Sequence, residues 1–216
     1  EISMPKLLIL SSEAESYRHL IAAEKLPDLN WAFAPASDVD IVLAEPSLIR
    51  PALDSLPALS WVQSIWAGVE PLLDPALRRN YILTNARGVF AGLMSESVIG
   101  YMLMHERRML QKLEAQKNNF WDDADTGTLR GKTLGLLGVG SIGSEIARTA
   151  KFFGMIVRGY TRESETSTQV DRYFHGKNIL KFAEGVDYLL SILPNTKDTR
   201  RIVNADLLNA LPPHAF

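Results

Sequence analysis

The sequence predicts an α/β protein whose short strands form parallel sheets covered by helices on both faces. Three observations carry this. Apolar runs such as KLLILS (6–11), VDIVLA (39–44) and TLGLL (133–137) show little polar alternation, as strands buried on both faces do. Segments of helical periodicity separate them, the pattern of βαβ units. One run passes straight into Gly138-Val139-Gly140-Ser141-Ile142-Gly143 and then into a helix. At 216 residues, 46% of them hydrophobic, the chain can fill one large domain or two small ones.

The elements follow in order. KLLILS is a buried strand, and Glu13 to Lys25 a helix that ends at Pro27. LNWAFA (29–34) and VDIVLA (39–44) are further strands. Only APAS (34–37) separates them, whereas a parallel crossover takes about a dozen residues. The pair is therefore antiparallel, or residues are missing between them; the buried character of both runs favours missing residues. A helix from about Pro46 to Leu53, a strand LSWVQSIW (59–66), a short helix near Pro71 to Arg79 and a strand YILTN (81–85) complete a first domain, residues 1–92.

Val98, Ile99, Met102, Leu103, Met109, Leu110 and Leu113 then recur at helical spacing, with Glu106, Arg107, Arg108, Lys112 and Glu114 between them. This predicts one long helix from about Leu93 to Lys117, long enough to span two lobes. The turn-rich NNFWDDADTGTLRGK (118–132) marks a boundary. Residues 93–120 thus read as an interdomain helix and linker, and 121–216 as a second domain.

Composition excludes several classes. A formal net charge of −2 gives no long-range field for nucleic acid or acidic membranes. The absence of cysteine rules out disulfides, thiolate metal sites and a cysteine nucleophile, and no metal site is assigned. No apolar stretch reaches the ~18 residues of a membrane span. EISM has no basic n-region and is no signal peptide; Glu1 to Ser3 reads as a cloning remnant before a natural start at Met4. The expected location is cytoplasmic.

The glycines have distinct physical uses. The first permits a tight turn, the second lets backbone approach a pyrophosphate, and the third lets helix and strand pack closely. Unpaired N–H groups at the helix start hold the anion. Ile142, Ile146, Ala147, Ala150 and Phe153 form the apolar face of that helix, Gly154 stops it, and MIVRGY (155–160) is the next strand. Strand, turn, helix and strand point to dinucleotide binding. The alternatives are a turn that serves packing alone and a flavin or S-adenosylmethionine site. At the end of the second strand an acid would hold the ribose 2′-OH of NAD, and an arginine would accept the 2′-phosphate of NADP. The chain has Tyr160-Thr161-Arg162, with Glu163 one step too late, which favours NADP with NAD possible. The alternative is that Arg162 is a solvated surface charge.

GKTLGLLGVGSIGSEIA (131–147), VDYLLSILPNTKDTRRIVN (186–204) and NARGVFAGLMSESVIGYML (85–103) together resemble the D-isomer-specific 2-hydroxyacid dehydrogenases, most nearly the glyoxylate/hydroxypyruvate reductase branch. The resemblance covers nearly the whole chain. It implies a flavodoxin-like substrate domain, a Rossmann-type dinucleotide domain and a cleft between them. It also implies reduction of a small 2-keto acid by NAD(P)H, and a homodimer. On this resemblance Gly138, Gly140, Ser141, Ile142, Thr161 and Arg162 hold the dinucleotide. Leu193 and Pro194 of the Leu-Pro-x-Thr turn run along it, Thr199 completes a Thr-x-x-Thr spacing, and Met94 lines the nicotinamide side. Ala67, Gly68 and Val69 hold the substrate carboxylate as an anion nest, and Arg87, after YILTN, faces the same cleft. Residue by residue, the plainer readings are a turn glycine for Gly68, a core position for Met94 and a strand-end turn for Pro194. That turn stands on chemistry as well: Pro194 removes a donor and ends a strand, and Asn204 caps the next helix.

The family's catalytic arginine, glutamate and histidine follow the Leu-Pro-x-Thr segment, beyond ADLLNALPPHAF, and none is present in these 216 residues. His19, His105, His175 and His214 each read as structural or surface residues. No catalytic residue is assigned, and the second sheet is expected to be incomplete. A non-catalytic nucleotide-sensing protein on the same fold is the rival reading.

Overall fold

The computed structural model describes residues 4–26 and 28–216, so Glu1 to Ser3 and the helix-ending Pro27 lie outside the described residues. The backbone divides into two units, Glu1–Arg87 and Gly88–Phe216.

In the first unit the apolar runs become β1 (Lys6–Leu10), β2 (Asn30–Ala32), β3 (Ile41–Ala44), β4 (Trp61–Ser64) and β5 (Ile82–Thr84), with α1 (Ala14–Ala23) after β1. Every pairing is parallel, in the order β2-β1-β3-β4-β5. Leu8, Val42, Ala44 and Val62 from the sheet pack with Ile49, Leu53, Leu56 and Leu72 in one buried cluster. This order corrects the reading of the APAS link. β2 and β3 are neither antiparallel nor adjacent; they flank β1, and residues 33–40 cross between them. Two strand spacings are only about 10 Å, which a short extended segment covers without a helix. The region read as one helix at Pro46 is a single turn, α2 (Pro46–Ile49), continued as a 3₁₀ helix over Arg50–Ser55. Near Pro71 there is only a 3₁₀ turn, Glu70–Leu72.

The second unit contains α3 (Ala91–Glu106), α4 (Met109–Lys117), β6 (Thr133–Leu137), α5 (Ser141–Phe152), β7 (Ile156–Thr161), β8 (Arg172–His175), α6 (Ile179–Ala183), β9 (Tyr188–Ser191) and α7 (Ala205–Asn209). Its sheet is again all parallel, in the order β8-β7-β6-β9. All five residues of β6 are buried. Ile146, Ala147 and Ala150 of α5 cover one face with Leu134 and Leu136, while Phe182 and Leu207 join Leu137 in a separate cluster. Asn204 caps α7 as its position suggested, accepting from Leu207 N at 2.9 Å.

The single long helix is corrected to two. Arg108 adopts a left-handed backbone, φ +51°. The Glu106 carbonyl, which a continuous helix would pair with residue 110, accepts instead from Gly127 N at 2.8 Å. The Glu106 carboxylate is buried and accepts from Tyr188 Oη at 2.6 Å, with Lys132 Nζ at 3.6 Å. Tertiary partners thus take over the carbonyl and the side chain at which the periodicity gave no sign of a break.

Candidate functional site

In the second unit the carboxyl ends of β6, β7 and β9 lie together. Gly138 leaves β6 with φ +98°, a conformation costly for a residue with a side chain, and its N–H donates to Tyr160 O at 2.9 Å. A Cβ on Gly143 would sit 2.6 Å from the Gly138 carbonyl oxygen, so that glycine is demanded by packing between turn and helix. Gly140 is different. A Cβ there would meet nothing within 4 Å. Its bareness leaves space at the start of α5, where Ser144 N donates to Gly140 O at 2.9 Å to close the first turn. The amides of Ser141 and Ile142 precede that bond, and helix starts offer such groups no carbonyl of their own. Twelve aligned peptides in α5 add their dipole. Spare N–H groups, partial positive charge and a vacant side-chain position fit a diphosphate, as the nucleotide of a dinucleotide cofactor requires.

The remaining residues expected at the cofactor fall into four places. Leu193 belongs with the glycine turn: its Cδ2 lies 3.3 Å from where a Gly138 Cβ would be, and Ile192 N donates to Leu137 O at 3.0 Å. Pro194 and Thr199 form a self-closed turn, with Thr199 Oγ1 bonded to Pro194 O and Thr196 N donating to Thr199 Oγ1 at 2.9 Å. This turn borders a concavity of about 260 Å³ with Ser191, Arg200 and Arg201. At the end of β7, Arg162 is exposed, while the Thr161 hydroxyl donates to Ser164 O at 2.7 Å. Met94 stands apart in the first turn of α3, exposed rather than in the core, beside Ser95, whose hydroxyl reaches Thr149 Oγ1 at 2.8 Å.

In the first unit, Ala67, Gly68 and Val69 follow β4. Ser64 Oγ donates to Trp66 O at 2.9 Å, and Asn85 Nδ2 donates to Ala67 O at 2.6 Å, so the loop is tied at its start. Gly68 has no left-handed backbone; what a side chain there would meet is the Glu70 carboxylate, at 2.7 Å. Arg87, exposed, follows Ala86, whose N–H donates to Trp66 O at 3.2 Å, so both candidate segments meet at one sheet end.

The four histidines differ in their surroundings. His19 is exposed on α1. His105 stacks on Phe216 at 4.7 Å, and His214 Nε2 lies 2.9 Å from Asp187 Oδ1. His175 is the one the sequence placed least well. It belongs to β8, a strand the sequence reading did not identify, because RYFH is short and offers one buried aromatic between polar residues. It faces the end of β7 and pairs with Glu165 Oε1 at 2.7 Å.

Comparison with known proteins gives a consistent answer. Residues 99–216 match the family model "D-isomer specific 2-hydroxyacid dehydrogenase, NAD binding domain". A D-isomer specific 2-hydroxyacid dehydrogenase family protein of Aeromonas salmonicida subsp. salmonicida A449 is 37% identical, with TM-score 0.92 over 99% of this chain and 71% of that one. An NADPH-dependent glyoxylate/hydroxypyruvate reductase of Sinorhizobium meliloti, solved with NADP and malonate, is 26% identical, with TM-score 0.78 over 99% of this chain and 70% of that one. Glyoxylate/hydroxypyruvate reductase A of Serratia proteamaculans (strain 568) is 29% identical over 167 residues, 73% of this chain. The chain spans only 53% of that relative's length.

Proposed function

Since the chain belongs to the D-isomer-specific 2-hydroxyacid dehydrogenase family, we propose that it is the substrate- and cofactor-binding portion of a reductase for small 2-keto acids of the glyoxylate or hydroxypyruvate type, with NADPH preferred to NADH. The single observation that carries the reading is the glycine turn, whose middle glycine is bare where the protein's own packing does not require it. The nicotinamide supplies hydride when bound. The chain's residues bind and orient: the amides of Ser141 and Ile142 take the diphosphate, and Arg162 takes the 2′-phosphate. Leu193, Pro194 and Met94 bound the cofactor, with Thr161 and Thr199 shaping the turns beside it. The amides of Ala67, Gly68 and Val69, with Arg87, take the substrate carboxylate. The Glu70 side chain swings aside for that anion, a change its exposed flexible stem allows. No residue is assigned to proton delivery.

An assay of full-length protein with glyoxylate or hydroxypyruvate and each reduced nicotinamide tests this. Oxidation of NADPH with kcat/KM at least tenfold above that for NADH is expected. Consumption of neither cofactor would overturn the reading. Light scattering at the same protein concentration tests the homodimer that belongs to it.

A further inference from the structure

His175 and Thr161 are register partners on neighbouring strands, so the imidazole sits at the carboxyl end of β7, where the chain turns toward Arg162. Its Nδ1 lies 3.1 Å from Thr161 O and 3.2 Å from Thr161 Oγ1, and its Nε2 lies 2.7 Å from Glu165 Oε1. A carbonyl and a carboxylate only accept hydrogen bonds. Both ring nitrogens must therefore donate, and a neutral imidazole has only one N–H. The Thr161 hydroxyl spends its own proton on Ser164 O at 2.7 Å, so it too is an acceptor toward the ring. The turn 161–165 is thus held at both ends by one side chain, and the full set of bonds needs the imidazolium.

We propose that His175 is a positioning residue that holds the 161–165 turn and balances its charge, so that its protonation sets the preference for a dinucleotide bearing a 2′-phosphate. This rests on the reading of Arg162 as the phosphate's partner. The charge arithmetic gives the direction. Arg162 is opposed by Glu163 and Glu165 in the same turn, which leaves an excess negative charge beside a phosphate. Imidazolium at position 175 cancels that excess. The other groups around the ring are Tyr173, stacked on it at 6.3 Å, and Tyr160, whose Oη donates to Gly176 O at 2.6 Å; Lys177 follows two residues on. Burial holds the Tyr160 hydroxyl above its ordinary range, so it adds no charge near neutrality. Glu165, then the Thr161 carbonyl, with Glu163 adding its field, hold His175 above the ordinary imidazole range. The pair is therefore intact below the ordinary imidazole pKa and is lost as pH rises through the raised value.

The test is a fluorescence titration of full-length protein with NADPH and with NADH from pH 6 to 9, for wild type, His175→Gln, Glu165→Gln and Arg162→Gln. In wild type the ratio of NADH to NADPH dissociation constants is expected to fall by about threefold to tenfold across the range, the worth of one nearby charge in a partly solvated site. In His175→Gln the ratio starts low and varies only with ionisation of the phosphate itself, while an unchanged circular-dichroism spectrum shows that the fold is intact. In Glu165→Gln the wild-type midpoint moves to lower pH. Superimposable wild-type and His175→Gln profiles would overturn the proposal. Should His175→Gln fail to fold, a wild-type ratio that stays flat, or an unmoved midpoint in Glu165→Gln, overturns it. The Arg162→Gln arm separates the two readings: lost NADPH preference there with no effect at position 175 sinks this inference alone, whereas retained preference in Arg162→Gln sinks the assignment of Arg162 beneath it.

Discussion

Gly140 and Gly143 are three residues apart in one motif, yet their glycines answer different demands. A methyl group on Gly143 meets a main-chain oxygen at 2.6 Å, and backbone cannot rotate away as a side chain can. Gly143→Ala is therefore expected to destabilise the protein by about 1–3 kcal/mol, the usual cost of overpacking. A methyl group on Gly140 meets no protein atom within 4 Å. Gly140→Ala loses only about 1 kcal/mol or less through its poorer helix cap, but it places carbon in the proposed diphosphate site. Its dissociation constant for NADPH should rise at least tenfold. Urea denaturation beside cofactor titration separates the two cases, and equal stability losses with unchanged binding would contradict the assignment of roles.

Three parallel strand pairs share one device at their amino ends. Asp40, just before β3, accepts from Lys6 N at the start of β1 at 2.8 Å. Asp187, just before β9, accepts from Thr133 N at the start of β6 at 2.7 Å. Asp171, just before β8, accepts from Val157 N in β7 at 2.7 Å. Each carboxylate takes a main-chain donor at the opening of a neighbouring strand and so pins the register of the pair. Burial raises the Asp187 pKa, but the Thr133 amide, His214 and Lys132 outweigh it and hold the carboxyl below its ordinary value. A depressed carboxyl stabilises the fold above the unfolded-state pKa and loses that contribution as pH falls through the folded-state value. Asp187→Asn is accordingly expected to cost about 1–3 kcal/mol at pH 7, with the gap to wild type closing below about pH 4. Urea midpoints at the two pH values check this; a gap that does not change with pH would count against the clamp.

At the scale of the molecule, the proposed cofactor groups lie in Gly88–Phe216 and the proposed carboxylate nest in Glu1–Arg87. NADPH should therefore protect one unit first. At a concentration a hundredfold above its dissociation constant, the cofactor adds about 2.7 kcal/mol to the stability of whatever unfolds with the site. Amide exchange with NADPH alone is expected to slow at residues 133–144 and 156–162, with little change in β1 to β4. Equal protection in both units would show that the cofactor's influence is not confined in this way. No helix among the described residues is long and apolar enough to cross a membrane.

Local chemistry was enough for the sequence to reveal an α/β chain of mostly parallel strands, the Gly138–Gly143 turn and the Asn204 cap, because each depends on short runs of residue types and on their spacing; the family entered through the resemblance of three longer motifs. Tertiary structure alone decided the rest. A link as short as residues 33–40 serves two parallel strands because β1 lies between them, a fact of strand order that no window of sequence contains. The helix read through Arg107 and Arg108 breaks because Gly127 claims the Glu106 carbonyl, across a separation that periodicity cannot register. His175, unremarkable in a polar stretch, acquires its Thr161 acceptors only when β8 lies beside β7. Backbone conformation and helical or strand pattern are settled by near neighbours; the partners of a buried or strand-end polar group are settled by whatever the fold brings to it.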